Sequence, residues 1–281
     1  MTPQAPAAHR RPGRRAYLLI ALFVLALVAF PFLFWYGTWF GRQLSDSDLD
    51  RYFADSAKPR RAQHALVQIG ERLSRHRDVS RWYPQVIRQA SSPSLELRQT
   101  AAWIMGQGRQ YAPFHEALLR LIHDPEPMVR RNAALALAGF SDAAARPELV
   151  AMLRPYTVTA QAAGTLKYRL KVSDYVNPGT LIAHVEQAHA GDLEVRCPVP
   201  GEVQTLARGD GAAVKPGDPV ASLAADKNHV WEALRALYVV GQPADLEDVE
   251  RFMRPVAGMP ETVVRQAALT ARQIQSRKAA E

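Results

Sequence analysis

The stretch SPSLELRQTAAWIMG, from Ser92 to Gly106, returns 32 residues later as DPEPMVRRNAALALA, from Asp124 to Ala138. Pro93, Leu97, Arg98, Ala101, Ala102 and Gly106 are matched by Pro125, Val129, Arg130, Ala133, Ala134 and Ala138. A match that keeps its register this far marks a repeat architecture, in which each unit buries its apolar face only against its neighbours. Apolar residues at i, i+3, i+4 and i+7 make each copy a helix with one inward face, and its small alanines let a neighbouring helix come close. The prolines are expected to open these helices, where a missing N–H costs nothing. A further copy, MPETVVRQAALTARQI, carries Pro260, Val264, Arg265 and Ala268 at the same spacing, and a weaker one, RRAQHALVQIG, ends at Gly70. Segments such as FHEALLRLIHD, Phe114 to Asp124, supply the second helix of each pair.

Asp124, Val129, Arg130, Ala133 and Ala134 follow a D-x-x-x-x-V-R-x-x-A-A pattern, and in this the chain resembles the short bacterial HEAT-like repeats. The resemblance covers residues 55–153 and 226–277. It implies an α-solenoid of stacked helix pairs, a kind of structure that mostly binds other proteins. Arg98, Arg130 and Arg265 recur at equivalent places. That recurrence points to a structural task, pairing with a neighbouring repeat's carboxylate or capping its helix.

Between the helical blocks, residues 156–224 become rich in Val, Gly and Pro, and short alternating runs such as TLKYRLKV between turn residues read as β-strands. This block has its own repeat: Gly164 precedes one half and Gly201 the other, and VNPGTL from Val176 is echoed by VKPGDP from Val214. With Pro178, Gly179, Glu186, Pro198, Pro216 and Gly217, these residues resemble the biotinyl/lipoyl-like barrel-sandwich hybrid, also found in adaptor proteins of bacterial export systems. In the carriers of that family a hairpin tip presents a lysine that receives the cofactor. Here the tip, EQAHAGDLEVRCP, places His189 near that position, and no lysine lies between Lys171 and Lys215. An imidazole forms no stable amide with lipoate or biotin, so no cofactor is expected.

Residues 16–40, AYLLIALFVLALVAFPFLFWYGTWF, carry no charge, and about 20 apolar residues suffice to cross a hydrocarbon core. A secretory signal ends in small residues at its cleavage site, whereas this run continues through Phe34, Trp35, Tyr36 and Trp39. A retained single-pass anchor is expected, with Trp35, Tyr36 and Trp39 in the interfacial aromatic belt and Pro31 kinking the helix without breaking it. Four of the cationic residues behind the net charge of +8, Arg10, Arg11, Arg14 and Arg15, crowd into the preceding tail. They keep that tail cytoplasmic and put the bulk of the chain on the periplasmic or extracytoplasmic side of an inner membrane. What remains is an ordinary mixed surface, which argues against a nucleic-acid partner.

The chain offers little chemistry. It has no G-x-S-x-G, no H-E-x-x-H and no P-loop, so no catalytic residue is expected. His184, His189 and Cys197 match no metal-ligand spacing. SDSDLDRYF reads as a helix start, with Ser45 or Asp46 as cap and Leu49, Tyr52 and Phe53 turned inward, ahead of a cation site. Trp82 and Tyr83, beside Pro84, are assigned to core packing; exposed together on a loop, they would be partner contacts.

The expected architecture is multidomain, α plus β: a basic tail (1–15), a transmembrane helix (16–40), HEAT-like repeats (41–155), an inserted small β barrel-sandwich (156–224), and C-terminal HEAT-like helices with a charged tail (225–281). The expected function is a non-catalytic membrane-anchored scaffold or adaptor that binds other proteins of an envelope complex. The alternative is a periplasmic adaptor of an export system. It is weakened because such adaptors carry a long helical hairpin where this chain has only a short tip.

Overall fold

The computed structural model describes residues 14–37, 43–55, 58–187 and 191–278, with side chains described in these ranges except at 14–17, 34–37 and 278. Two compact units result, Met1–Gln68 and Ile69–Glu281.

In the first unit, α1 (Arg14–Gly37) is a helix that continues through Pro31. Its described side chains, residues 18–33, are exposed except for the partly covered Ala29. Over the described residues, no helix is long and apolar enough to cross a membrane. The interfacial positions expected of Trp35, Tyr36 and Trp39 lie outside the described side chains. α2 (Asp46–Ala54) begins as its sequence requires: Ser45 and Asp48 form a reciprocal capping box that satisfies two otherwise orphaned donors. Leu49 and Phe53 are buried, and Tyr52 is half-buried under the Arg61 guanidinium.

α3 (Pro59–Ser74) leads into the second unit, where helices pair along the chain: α4 (Tyr83–Gln89) with α5 (Leu95–Gln107), and α6 (Ala112–Leu121) with α7 (Pro127–Gly139). α8 (Arg146–Met152) pairs with α9 (Lys227–Val240), and α10 (Leu246–Glu250) with α11 (Glu261–Lys278). The second members pack side by side in the order α5, α7, α9, α11, a continuous layer with the shorter helices along it. Close approach within that layer requires small residues. A Cβ on Gly106 of α5 would sit 2.8 Å from the Cβ of Ala136 on α7, inside normal contact.

Two expectations change in detail. Pro93 and Pro125 precede their helices by two residues, because each sits in a turn set by the residue before it: the Ser92 hydroxyl accepts from the Ser94 backbone N–H at 3.2 Å, and the Asp124 carboxylate from that of Glu126 at 2.9 Å. The prolines' carbonyls, and those before them, are left to accept from the repeat arginines. In α11 the buried positions are Val263 and Ala267, one residue ahead of the Val264 and Ala268 that match in sequence, so this copy is rotated by one position.

The β block is inserted within the third helix pair, between α8 and α9. Its strands are β1 (Tyr156–Thr159), β2 (Gly164–Tyr168), β3 (Tyr175–Val176), β4 (Leu181–Glu186), β5 (Leu193–Arg196), β6 (Gly201–Leu206), β7 (Ala213–Val214) and β8 (Pro219–Leu223). They form two antiparallel sheets, β1-β8-β6-β3 and β5-β4-β2-β7. Exchanging β1 with β5, β2 with β6, β3 with β7 and β4 with β8 converts one sheet into the other, so the sequence repeat is an internal two-fold. Hydrogen bonds obey it: the Gly179 N–H donates to the Cys197 carbonyl at 2.7 Å, and the Gly217 N–H to that of Ala160 at 2.9 Å. A valine-rich core fills the space between the sheets. Because Tyr156 pairs with Leu223, the block starts and ends at one place, which is why a helix pair can accommodate it.

Candidate interaction surface

The repeat arginines behave as structural parts. Arg98 donates to Asp124 through two bonds of 2.7 and 3.1 Å and to the carbonyls of Ser92 and Pro93 at 3.0 and 3.1 Å. Arg130 repeats this with the carbonyls of Asp124 and Pro125 at 2.8 and 2.9 Å and with Glu148 at 2.9 Å. Each arginine therefore closes its own turn and ties it to a carboxylate of the next helix pair. Across the insertion, Arg146 and Arg154 pair in the same bidentate way with Asp245 and Asp248. The Arg154 bond holds the Asp248 carboxyl below its ordinary range. Arg265 is exposed, 3.9 Å from Glu261 on its own helix, and takes no part in such a tie.

Trp82 and Tyr83 are not exposed together. Trp82 is only 1% exposed, in a short helical turn with the guanidiniums of Arg72 and Arg81 over its ring. Tyr83 packs on Phe114 and Tyr111, with ring centroids 4.6 and 5.0 Å away. The condition for a partner contact at this pair is therefore unmet, and both residues belong to packing. His189 lies outside the described residues. In the β4–β5 register His184 faces Glu194, whereas Cys197 follows Arg196, the partner of Leu181; they are roughly 10 Å apart along the strands. Cys197 is buried, its thiol donates to the Val199 carbonyl, and burial pushes its pKa up. Among the described residues no three His, Cys, Asp or Glu side chains gather as a metal site would require.

Where the β block meets α7 and α9 there is a buried polar knot. Arg131 is 5% exposed and its guanidinium donates to Nδ1 of His229 at 3.1 Å, with Glu148 3.9 Å away. Burial, then the Arg131 charge, lowers the His229 pKa to about 4, so its imidazole is neutral and accepts. Asp226 caps α9 through the backbone N–H groups of Asn228 and His229 and accepts from the Tyr175 hydroxyl at 2.9 Å. These bonds fix the block to the layer at the point where the chain leaves it.

An open groove of about 650 Å³ lies on the α5–α7–α9 layer itself. It is lined only by these helices and the turns that follow α5 and α7, with Trp103, Gln107, Arg109, Asn132, Glu232 and Arg235 as its larger side chains. Trp103 is 51% exposed, and beside the groove Trp231 is 36% exposed beneath the Arg235 guanidinium, 4.6 Å from its ring centroid. Sequence reasoning passed over both. The available signal was Trp103 standing where the next repeat has Leu135, between the buried alanines and Gly106.

A family model described as HEAT repeats matches residues 55–167. Through α8 that region is helical and repeat-built, its last residues entering β1 and β2, and such repeats commonly mediate protein–protein interaction. No curated protein matches the chain. One matching solved structure is that of a single-chain, multi-domain long-chain acyl-CoA carboxylase, at 19% identity and a TM-score of 0.24. The match covers 36% of this chain and 10% of that one.

Proposed function

We propose that this protein is a non-catalytic scaffold, held to a membrane by residues 16–40, that docks another protein on the groove across α5, α7 and α9. The carrying observation is the exposure of Trp103 and Trp231 at that groove in a chain whose other tryptophan of the repeats, Trp82, is buried. Exposed tryptophans in a recess are the side chains that dominate protein interfaces. An anchor role for α1 draws support from the continuous exposure of its leucines, valines and phenylalanines, which in water would be an aggregation liability. The two-fold related sheets favour reading the β block as a barrel-sandwich hybrid without a cofactor, serving as a second surface. An export-adaptor role would need a long insertion between β4 and β5, which here end at Glu186 and start at Leu193.

The test is purification of the full-length protein from its own membranes in mild detergent, followed by mass spectrometry. Stoichiometric recovery of another polypeptide, reduced by Trp103→Ala with Trp231→Ala, is the expected result. Recovery of the protein alone, or from the soluble fraction, overturns the reading.

A further inference from the structure

The groove's polar groups are mostly donors. Arg109 follows α5, donates from Nε to the Gly106 carbonyl at 3.3 Å and lies against Gly139, and Arg235 lies over Trp231; among the described residues neither has a carboxylate within ion-pair distance. This sets them apart from Arg98, Arg130, Arg146 and Arg154, each committed to a carboxylate of a neighbouring pair. The amide nitrogen of Gln107, another residue of the lining, is shut off from water and has no acceptor among the described residues. An unsatisfied buried donor costs about 1–3 kcal/mol. Glu232 is the one carboxylate of the lining. Burial raises its pKa, with Asp226 adding to the shift and Arg235 opposing it. The Asn132 side chain is already spent on the Gln99 carbonyl at 3.1 Å.

We infer that the groove takes an acidic linear segment of a partner protein, its carboxylates on Arg109 and Arg235 and an apolar side chain on Trp103. This rests on the scaffold reading and specifies its partner. The chain's own N-terminal segment is unsuited to the site, since Arg10 and Arg11 make it basic. A guanidinium that has no carboxylate gains most from one, by paired bonds of fixed geometry. The gain is moderate at an exposed site and weakens with salt.

An array of 15-residue peptides of random sequence, probed with the full-length protein in detergent, tests this. Bound peptides should be enriched in Asp and Glu over unbound ones. Their affinity should fall about tenfold in the double variant Arg109→Gln/Arg235→Gln. It should hold in Arg88→Gln/Arg120→Gln, which removes the same charge from α4 and α6. Absence of binding, neutral or basic peptides among those bound, or full affinity in the groove variant overturns the inference. If that happens while another polypeptide still co-purifies from membranes, the scaffold reading stands and only the partner's chemistry is wrong; if co-purification fails as well, both fall.

Discussion

Ser173 holds a φ of +73°, where the two-fold mate of its turn has Gly211 at +82°. The equivalence is carried by hydrogen bonds, the Ser173 N–H to Val203 and the Gly211 N–H to Leu166, each 2.8 Å. A side chain in this region is strained and a glycine is not. Ser173→Gly should therefore stabilise the protein by about 0.5–1 kcal/mol in urea unfolding, and Gly211→Ser should destabilise it by at least as much. His229 governs a pH response. Unfolded it takes a proton near pH 6.5, folded only near 4. Its effect is absent above that range, and stability falls as the pH drops from 6.5 toward 4, by up to roughly 3 kcal/mol. The groups facing it are Arg131, which opposes protonation, and Asp226, which favours it. His229→Gln should flatten that part of the stability profile, as read by thermal unfolding between pH 4 and 7.

At the scale of elements, each helix pair is fastened to the next by an arginine, so Arg98→Ala should cost about 2 kcal/mol through loss of its bonds to Asp124. Trp82→Ala separates packing from binding. A buried tryptophan lost from a core costs about 3–5 kcal/mol, visible as a lowered unfolding midpoint whatever partner is present. The helices and strands, the task of Arg98 and Arg130 though not of Arg265, and the Ser45 cap were legible because periodicity and capping act over a few residues. The phase of α11 was not: Val263 and Val264 are both valine, Ala267 and Ala268 both alanine, and only packing against α9 chooses between them. Nor was the groove, because Trp103 is read as core or surface only when the helices beside it are placed. Trp82 was ambiguous for the same reason.

For the molecule as a whole, insertion of the β block at one point of the helical layer is the unusual property. Tyr156 and Leu223 are neighbours on paired strands, so residues 155–225 can be replaced by a short turn with little strain on α8 and α9. The excised chain, in which Arg131 keeps His229 and Glu148 beside it and gains solvent, should keep the helical circular dichroism of the layer and its groove. The proposed scaffold role requires a partner on the α5–α7–α9 face. A photoreactive amino acid at Trp103, and separately at the exposed Glu116 of α6, placed in the full-length protein in its own cells, reports on that face. A discrete cross-linked product with another polypeptide is expected from position 103 and none from 116. Cross-links from 116 alone, or from neither position while the protein is folded, would contradict that role.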